Sequence, residues 1–233
     1  MRRLTTRIVV LLIAAFAVIS SSALAQEPSG GATAPAAAPA PAPFRLSGGG
    51  GALLGKKVRF RGTVDAKLAG RPVVVQSFDP VTEAWSKQAK ATVKPDGTFL
   101  ARWKARKIGQ FRTRALIGGS ARTAAASPEL TLTVFRPAIA TWYGPGFYGN
   151  KTACGIELTE TLVGVAHRTL PCGTIVAVHY GSTTILAPVV DRGPFGGKAK
   201  WDLTKGAADL LGFTETDRIG TMTVAPAAQP ASK

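Results

Sequence analysis

Three side chains in the last third of the chain are suited to acid–base catalysis. Asp191 ends the apolar stretch 188–190, where loss of solvent favours a carboxyl group that keeps its proton and can donate it as a general acid. His167 could orient Asp191, bind a substrate hydroxyl or assist proton transfer. Asp202 precedes a short helical pattern and could be a second carboxylate. The structural alternatives are an Asp191 bound to turn amides, a packing role for His167 and a helix-cap role for Asp202.

Short strands, with one short helix, are the elements expected to position these groups. The best helical pattern covers 204–211, where Thr204 can cap the first turn and Gly212 can end the helix. Apolar and alternating stretches predict the other elements of residues 138–224 as strands. These strands cover 139–143, 162–166, 174–180, 184–190 and 220–224.

The N-terminus predicts export from the cytoplasm. Three arginines in the first seven residues precede the apolar run 8–19, and small residues follow it up to Ala25. This pattern is typical of a secretory signal peptide, here 1–25. The apolar run is shorter than the roughly 20 residues of a spanning helix, so we expect no stable membrane anchor after cleavage. A retained anchor is the alternative.

Low-complexity segments flank the part of the chain that can fold. Residues 26–52 are rich in Ala, Pro and then Gly, and such a segment predicts an extended linker because it cannot bury a core. Residues 225–233 are predicted to be a disordered tail. Two cysteines and two histidines exclude a multi-cysteine zinc module, and no metal site is expected.

The two cysteines, Cys154 and Cys172, are 18 residues apart. An even number of cysteines in an exported chain predicts one disulfide. Closing a loop of this length stabilises a fold by roughly 3 kcal/mol in the chain-entropy description. A catalytic thiol acting with His167 is the alternative.

Residues 53–135 predict an Ig-like β-sandwich. Apolar and basic residues alternate over 57–61, 99–106 and 111–115, and 94–97 reads as a turn. The pattern gives six or seven strands and no convincing helix, which fits that fold. The residues expected on inner faces are Phe60, Phe99, Trp103 and Phe111.

The positive charge of the chain is concentrated in this middle region. The formal net charge is +16, from 29 Lys and Arg against 13 Asp and Glu. Residues 53–135 carry 16 basic and 5 acidic side chains, whereas 138–224 carry 7 of each. The excess predicts a surface that binds an anionic polymer, with a solvated polar face as the alternative. No nucleic-acid partner is expected, because no DNA- or RNA-reading motif is present.

Five blocks of sequence resemble a known family. They cover 140–144, 152–155, 165–174, 190–195 and 201–204, and read ATWYG, TACG, VAHRTLPCGT, VDRGPF and WDLT. In this order they resemble the rare lipoprotein A family of double-psi β-barrels, over nearly all of residues 138–224. The barrel is also similar to the first domain of expansins, which pair it with an Ig-like sandwich in the opposite order. The resulting fold class is all-β: an Ig-like sandwich followed by a six-stranded double-psi β-barrel with one or two short helices.

The resemblance implies a secreted, extracytoplasmic protein that acts on peptidoglycan glycan strands at the cell wall. Characterised members break the glycosidic bond by lytic transglycosylation, in which the 6-hydroxyl of muramic acid closes on its own anomeric carbon. The reaction needs neither water nor a cofactor. The family's essential aspartate corresponds to Asp191, and His167 lies in a matching block. Asp202 stands where expansins have an essential aspartate, which makes catalytic roles the expectation for all three.

Seven further residues are candidates for binding the glycan. Thr141 matches a groove threonine of expansins, and aromatic faces suit the C–H faces of sugar rings, although core packing is the alternative for the aromatic residues. Ile156 stands where transglycosylase members have a glutamate, and Glu157 follows it. The seven candidates are Thr141, Trp142, Tyr143, Tyr148, Arg192, Phe195 and Trp201.

Three functions compete on this sequence. The first is an endolytic peptidoglycan transglycosylase with Asp191 as acid and base. The second is a non-catalytic expansin-like protein that binds glycan and loosens the wall, favoured by Ile156, the domain order and the basic sandwich, which could hold anionic wall polymers. The third is a cellulose-type hydrolase, which needs a second carboxylate across the groove, and Asp202 is the candidate.

Overall fold

A computed structural model describes residues 43–80, 82–118 and 125–224. The predicted signal peptide, the first part of the predicted linker and the predicted tail at 225–233 lie outside the described residues. Within the described part, no helix has the length and apolar character needed to cross a bilayer.

β-strands are the dominant regular structure of the described residues, which confirms the all-β fold class. A short 3-10 helix, Ala66–Leu68, follows the third strand, and the single α-helix is α1 (Lys205–Leu211). In chain order the strands are β1 (Arg45–Ser47), β2 (Gly50–Leu53), β3 (Lys57–Thr63), β4 (Pro72–Asp79), β5 (Ala84–Thr92), β6 (Thr98–Lys104), β7 (Gly109–Ile117), β8 (Ala125–Ala126), β9 (Leu130–Tyr143), β10 (Val165–Ala166), β11 (Ile175–Tyr180), β12 (Thr183–Asp191), β13 (Trp201–Thr204) and β14 (Asp217–Thr223).

Strand β3 alternates charged and apolar residues, so it buries one face and exposes the other. Strands β1 and β6 pair with it on either side, both antiparallel, which makes a three-stranded sheet. Phe60 and Phe99 are buried beneath this sheet as the alternation predicts, and Trp103 is half-buried against the same core. The lysines and arginines of β3 and β6 occupy the exposed face.

A second sheet covers the other side of this core. Its order is β5-β4-β7-β9, with β2 beside β9 and β8 beside β7. Val73 and Val75 of β4 and Phe111 of β7 belong to the same buried cluster as Phe60. Two facing sheets therefore enclose one apolar core. The Ig-like topology expected for this sandwich stays a prediction.

Strands β1 and β2 occupy residues where the sequence suggests the end of a flexible linker. The glycines in this segment allow close packing. A Cβ at Gly51 would lie 2.2 Å from a ring carbon of His179, and one at Gly49 would lie 2.7 Å from the carbonyl oxygen of Thr131. The glycine run thus lets β2 approach β9 and β11, because any larger residue would meet them.

Strand β9 runs without interruption for 14 residues. Residues 130–134 pair with β7, and residues 136–140 pair with β14. The boundary between the sandwich predicted at 53–135 and the barrel predicted at 138–224 lies inside this strand. Phe135 of β9 stacks on His179 of β11, with ring centroids 4.8 Å apart. A shared strand and a buried ring contact therefore connect the two halves of the structure.

The second half of β9 closes a barrel of six strands, as the sequence predicts. Around the barrel the order is β9, β14, β11, β12, β10, β13 and back to β9. The β10–β12 and β13–β9 pairs are parallel and the other four are antiparallel. The barrel core is formed largely by aliphatic residues such as Val178, Leu203 and Ile219, which are fully buried.

Helix α1 begins and ends where the sequence predicts. The hydroxyl oxygen of Thr204 accepts the N–H of Ala207, and Gly212 ends the helix with φ +66°. The hydroxyl of Thr204 also donates to the carbonyl oxygen of Leu162 at 2.6 Å. The cap thus connects the helix to the segment before β10, one of the strands that frame the candidate site.

Candidate active site

Two carboxylates flank the short strand β10 on one face of the barrel. Asp191, the last residue of β12, is paired with Ala166 of β10, and Asp202 of β13 is paired with the same alanine from the other side. Directly opposite residues of neighbouring strands point to the same face of a sheet. The Cα atoms of Asp191 and Asp202 are thus about 10 Å apart, across two strand spacings, with Ala166 on the strand between them.

A β-bulge turns Asp191 toward this face. The register between β10 and β12 changes from Val165–Val189 to Ala166–Asp191, so Val190 is an additional residue on β12. Without the bulge, Asp191 would share the face of Val189, which lies in the barrel core. An inserted residue commonly re-aims a side chain next to a functional site.

Three donors hold the carboxylate of Asp191. The backbone N–H groups of Ala153 and Arg192 both donate to Oδ1 at 2.8 Å. The hydroxyl of Tyr143 donates to Oδ2 at 3.2 Å. Because the donors come from β9, from the loop that contains Ala153 and from the chain after β12, the orientation of Asp191 depends on three separate segments.

Asp202 is held by a different residue of β9 and is half-buried. The hydroxyl of Thr141 donates to its Oδ1 at 2.8 Å, across the β13–β9 pair in which the two residues are in register. Burial raises the pKa of Asp202, the hydrogen bond from Thr141 lowers it, and the nearby charge of Asp191 raises it further. The net effect is a raised pKa, so the site favours the protonated form of Asp202 more than water does.

Tyr143 lies between the two acids. Burial raises the pKa of its phenol, and the charge of Asp191, its hydrogen bond to Asp191 and the charge of Asp202 raise it further. The phenol therefore stays protonated and acts as a donor. Thr141 and Tyr143 are two residues apart on β9, so both face the same side as the acids they bind.

The loop between β9 and β10 forms one wall of a small cavity at Asp191. The cavity has a volume of about 140 Å³. Within this loop, Lys151 and Glu157 form an antiparallel bridge, and Ile156 is exposed. The residues lining the cavity are Tyr143, Phe147, Asn150, Lys151, Thr152, Leu158 and Asp191.

The disulfide predicted between Cys154 and Cys172 is present. It joins the loop between β9 and β10, which contains Cys154, to the segment that follows His167. Cys154 is the neighbour of Ala153, whose N–H binds Asp191. The disulfide thus restrains one of the three donors to the carboxylate.

His167 packs away from the two acids. Its ring contacts Trp201, with centroids 4.3 Å apart, and Trp201 lies in the barrel core. The N–H groups of Thr169 and Leu170 donate to Nδ1 at 3.2 and 3.1 Å, so the neutral ring carries its proton on Nε2. The link of His167 to Asp191 is its backbone N–H, which donates to the carbonyl oxygen of Asp191 at 3.2 Å.

The surroundings of His167 favour the neutral ring. Burial lowers its pKa, and the positive charges of Arg192, Arg168 and Lys200 lower it further. The ring lines a separate cleft of about 860 Å³ that also borders Trp201 and Lys200. The structure therefore does not bring the imidazole of His167 into the cavity that contains the carboxylate of Asp191.

The other predicted binding residues occupy different environments. The indole N–H of Trp142 donates to the carbonyl oxygen of Thr214 at 3.0 Å, and the ring packs on the barrel core. Tyr148 and Phe195 are exposed, Phe195 to 78%. Arg192 donates from its guanidinium to Sγ of Cys172 at 3.2 Å. Among the predicted binding residues, Thr141 and Tyr143 contact the carboxylates through their side chains and Arg192 does so through its backbone N–H, whereas Trp142 packs in the barrel.

The sequence analysis does not predict the roles of three residues of the site. Ala166 separates the acids, Val190 forms the bulge, and Ala153 donates through its backbone. Ala153 and Ala166 lie in recognised blocks beside Cys154 and His167, so their position could have suggested a role. Nothing in the sequence marks Val190 as an inserted residue.

Comparison with known proteins supplies an independent observation. Residues 137–225 match the double-psi β-barrel family described as "Lytic transglycolase". These residues include both acids, Thr141, Tyr143 and the disulfide.

Curated relatives carry related names. The chain is similar to the "Probable endolytic peptidoglycan transglycosylase RlpA" of Synechocystis sp., at 34% identity over 157 residues, which cover 61% of this chain and 48% of that protein. It is 44% identical over 75 residues to the "Endolytic peptidoglycan transglycosylase RlpA" of Campylobacter jejuni, covering 31% of this chain and 27% of the relative. A similar protein of Aquifex aeolicus is 41% identical over 76 residues, 32% of this chain and 34% of its own. The chain thus spans less than half the length of these relatives.

Proposed function

We propose that the protein cleaves the glycan strands of peptidoglycan by endolytic transglycosylation, because residues 137–225 match the double-psi β-barrel family described as "Lytic transglycolase". The names of the similar proteins support this substrate. The observation that carries the proposal is the pair of carboxylates on one barrel face, Asp191 and Asp202, each fixed by a hydroxyl group of β9.

The environments of the two acids suit opposite roles. Asp202 has a raised pKa and uses Oδ1 to accept the hydroxyl of Thr141, which leaves Oδ2 to carry a proton. Asp191 acts as an acceptor in all three of its hydrogen bonds. Two carboxyl groups in unlike environments can divide acid and base functions between them.

In the proposed reaction, Asp202 donates its proton to the glycosidic oxygen as the bond from that oxygen to the anomeric carbon breaks. The 6-hydroxyl of the same muramic acid attacks the anomeric carbon and forms the 1,6-anhydro ring. Asp191 accepts the proton of that hydroxyl, and exchange with solvent returns both acids to their starting states. The reaction consumes no water, because the nucleophile belongs to the substrate.

The methyl group of Ala166 is part of this proposal. Ala166 is paired with both acids, so a longer side chain at this position would project between them. The hydrogen bonds from Ala153 and Tyr143 hold Asp191 beside the cavity of about 140 Å³.

Peptidoglycan lies outside the cytoplasmic membrane, so the proposed substrate requires export. The predicted signal peptide at 1–25 supplies a route, and the disulfide between Cys154 and Cys172 suits an oxidising compartment. We therefore place the protein at the cell wall or in the secreted fraction.

The test is digestion of purified peptidoglycan by the mature protein, with mass spectrometry of the released fragments. Fragments with 1,6-anhydro ends are expected from the wild type, with at least a 100-fold loss in Asp191→Asn and in Asp202→Asn. Asp217→Asn is the matched control, since this exposed acid also accepts a tyrosine hydroxyl, that of Tyr180. Fragments with reducing ends would instead identify a hydrolase and contradict the proposal.

A non-catalytic, expansin-like role is the second candidate, favoured by exposed Ile156 at the position of the family's glutamate. It would give wall binding that survives both substitutions and releases no fragments. Binding without cleavage in the wild type would therefore replace the first proposal with the second.

A further inference from the structure

The outer face of the three-stranded sheet carries an array of positive charge, here called the cationic face. It consists of six exposed side chains, contributed by β1, β3 and β6. They are Arg45, Lys57, Arg59, Arg61, Arg102 and Lys104. Among the described residues of this sheet, no acidic side chain shares the face.

Like charges lie directly opposite each other on this face. Lys57 is paired with Lys104, and Arg59 is paired with Arg102, in the register of β3 and β6. Side chains in directly opposite positions have Cβ atoms about 5 Å apart, and like charges placed there destabilise a sheet. A sheet that keeps two such pairs in succession departs from a local rule of stability, and such departures concentrate at functional sites.

Two acidic residues of the sandwich, Asp79 and Glu129, bind cations outside this face. The ion pairs among the described residues of this half are Lys107 with Asp79 and Arg112 with Glu129. Arg112 and Glu129 both belong to the second sheet or its edge. The positive charges of the cationic face are therefore available to bind an anion from outside the protein.

We propose that the cationic face binds a linear phosphodiester polymer of the cell wall. Arginine presents a planar fork of donors that matches phosphate oxygens. Arg59 and Arg61 follow one another along β3 on this face, and Arg102 lies opposite Arg59 on β6. Two cations about 5 Å apart across the strands can bracket one anionic group.

The spacing along the strands selects the kind of polymer. Outward-facing residues of a strand recur every two residues, or about 7 Å. Two extended residues contain six backbone bonds and span about 7 Å. Six single bonds of another extended chain span about the same distance. A polymer with a three-carbon bridge between successive phosphates has six such bonds per repeat, so its charges fall in register with the rows at Lys57, Arg59 and Arg61.

Nucleic acid has a similar phosphate spacing but is a poorer fit. Sequence-independent binding of single strands relies on aromatic side chains that stack on the bases. Among the described outward positions of this sheet none is aromatic, because Phe60, Phe99 and Trp103 face the core. The face thus offers contacts to a backbone and none to a base.

The experiment measures binding of a fluorescent synthetic glycerol-phosphate octamer by anisotropy, from 50 to 300 mM salt. If all six cations take part, the logarithm of Kd should rise with the logarithm of salt concentration with a slope of about 4, since each contact contributes about 0.7. Arg102→Glu should weaken binding at least tenfold at 50 mM salt. It should not lower Tm, because it places an opposite charge across from Arg59. If Arg102→Glu folds poorly, Arg102→Gln replaces it in the experiment. We expect the slope for Arg102→Gln to be lower than that for the wild type by about 0.7.

Lys90→Glu is the matched control, since exposed Lys90 also lies beside another lysine, Lys87, but on β5. An equal loss of affinity in this control would show a response to net charge alone and overturn the proposal. Binding of octathymidylate as tight as that of the glycerol-phosphate octamer would identify a nucleic-acid surface, and equal binding of octa-D-glutamate a carboxylate site. Either result would also contradict the proposal. The assay is independent of cleavage, so its failure is separable from failure of the proposed activity.

Discussion

The hydroxyl of Tyr143 donates to Oδ2 of Asp191 at 3.2 Å, and this contact joins the wall of the barrel at β9 to the end of β12. Tyr143→Phe keeps the ring and removes the donor. We expect kcat to fall about tenfold with little change in KM, since a hydrogen bond to a charged group contributes about 1.5–3 kcal/mol. Release of anhydro fragments at several peptidoglycan concentrations separates the two parameters.

The control for this change is Tyr180→Phe. The hydroxyl of Tyr180 makes the same kind of bond, to exposed Asp217 at 3.0 Å. An equal fall in kcat for this variant would mean that the effect of Tyr143 is general to the fold and does not act through Asp191.

Asp202 should lower the stability of the folded protein, although the proposed activity requires it. Its folded-state pKa is raised, so the stability that it contributes is present below the ordinary pKa of aspartate and is lost as pH rises through the raised value. Asp202→Asn keeps an acceptor for Thr141 and removes the half-buried ionisable group, whose ionised form is disfavoured in the folded state. At pH 7.5 we expect Tm to rise by about 2–4 °C, which corresponds to about 1 kcal/mol for a protein of this size, while cleavage is lost.

Thermal unfolding of the wild type and of Asp202→Asn at pH 7.5 and pH 3.5 tests whether the pKa of Asp202 is raised in the folded state. The advantage of Asp202→Asn should shrink at the lower pH, where the wild-type carboxyl group is protonated. If the Tm of Asp202→Asn were lower than that of the wild type at pH 7.5, the conclusion that burial raises the pKa of Asp202 would be contradicted.

Gly51 should be intolerant of any side chain. A Cβ at this position would lie 2.2 Å from the ring of His179, which is itself stacked on Phe135. We expect Gly51→Ala to lower the free energy of unfolding by about 1–3 kcal/mol, the usual effect of overpacking. Gly196→Ala is the control in a urea titration, since a Cβ at Gly196 would meet no atom within 4 Å. Equal midpoints for the two variants would contradict the close packing at His179.

Both histidines should make the protein less stable in mild acid. Burial lowers the pKa of His179, and burial with nearby positive charge lowers that of His167. Their contribution is present above the ordinary histidine pKa of about 6.5 and is lost as pH falls through the lowered values. The free energy of unfolding should thus decrease between pH 7.5 and pH 5.0. The double variant His167→Asn/His179→Asn should show a smaller decrease, and an unchanged one would rule out the histidines as its cause.

Local signals account for what the sequence predicts well. The alternation around Phe60 and Phe99 predicts which face of the sandwich is buried, because the period of two follows from strand geometry alone. Thr204 and Gly212 predict the ends of α1, because caps depend on neighbouring residues.

Long-range contacts account for what the sequence does not predict. Simple alternation would place Asp191 on the face of Val189, and the pairing of β12 with β10 introduces the bulge that turns it outward. The strand β13 is four residues long and exists because β9 and β10 pair with it on both sides. His167 illustrates the same limit, since its neighbour in space, Trp201, is 34 positions away along the chain.

The 14-residue strand β9 has a consequence for protein engineering. One uninterrupted strand hydrogen-bonds to β7 in the sandwich and to β14 in the barrel, so a cut between the two halves falls inside a strand. Each part of the cut strand would keep its own partner strand, but a graft of residues 137–225 would lose Phe135, which stacks on the ring of His179. Any carrier for the barrel would therefore have to supply a side chain that covers His179.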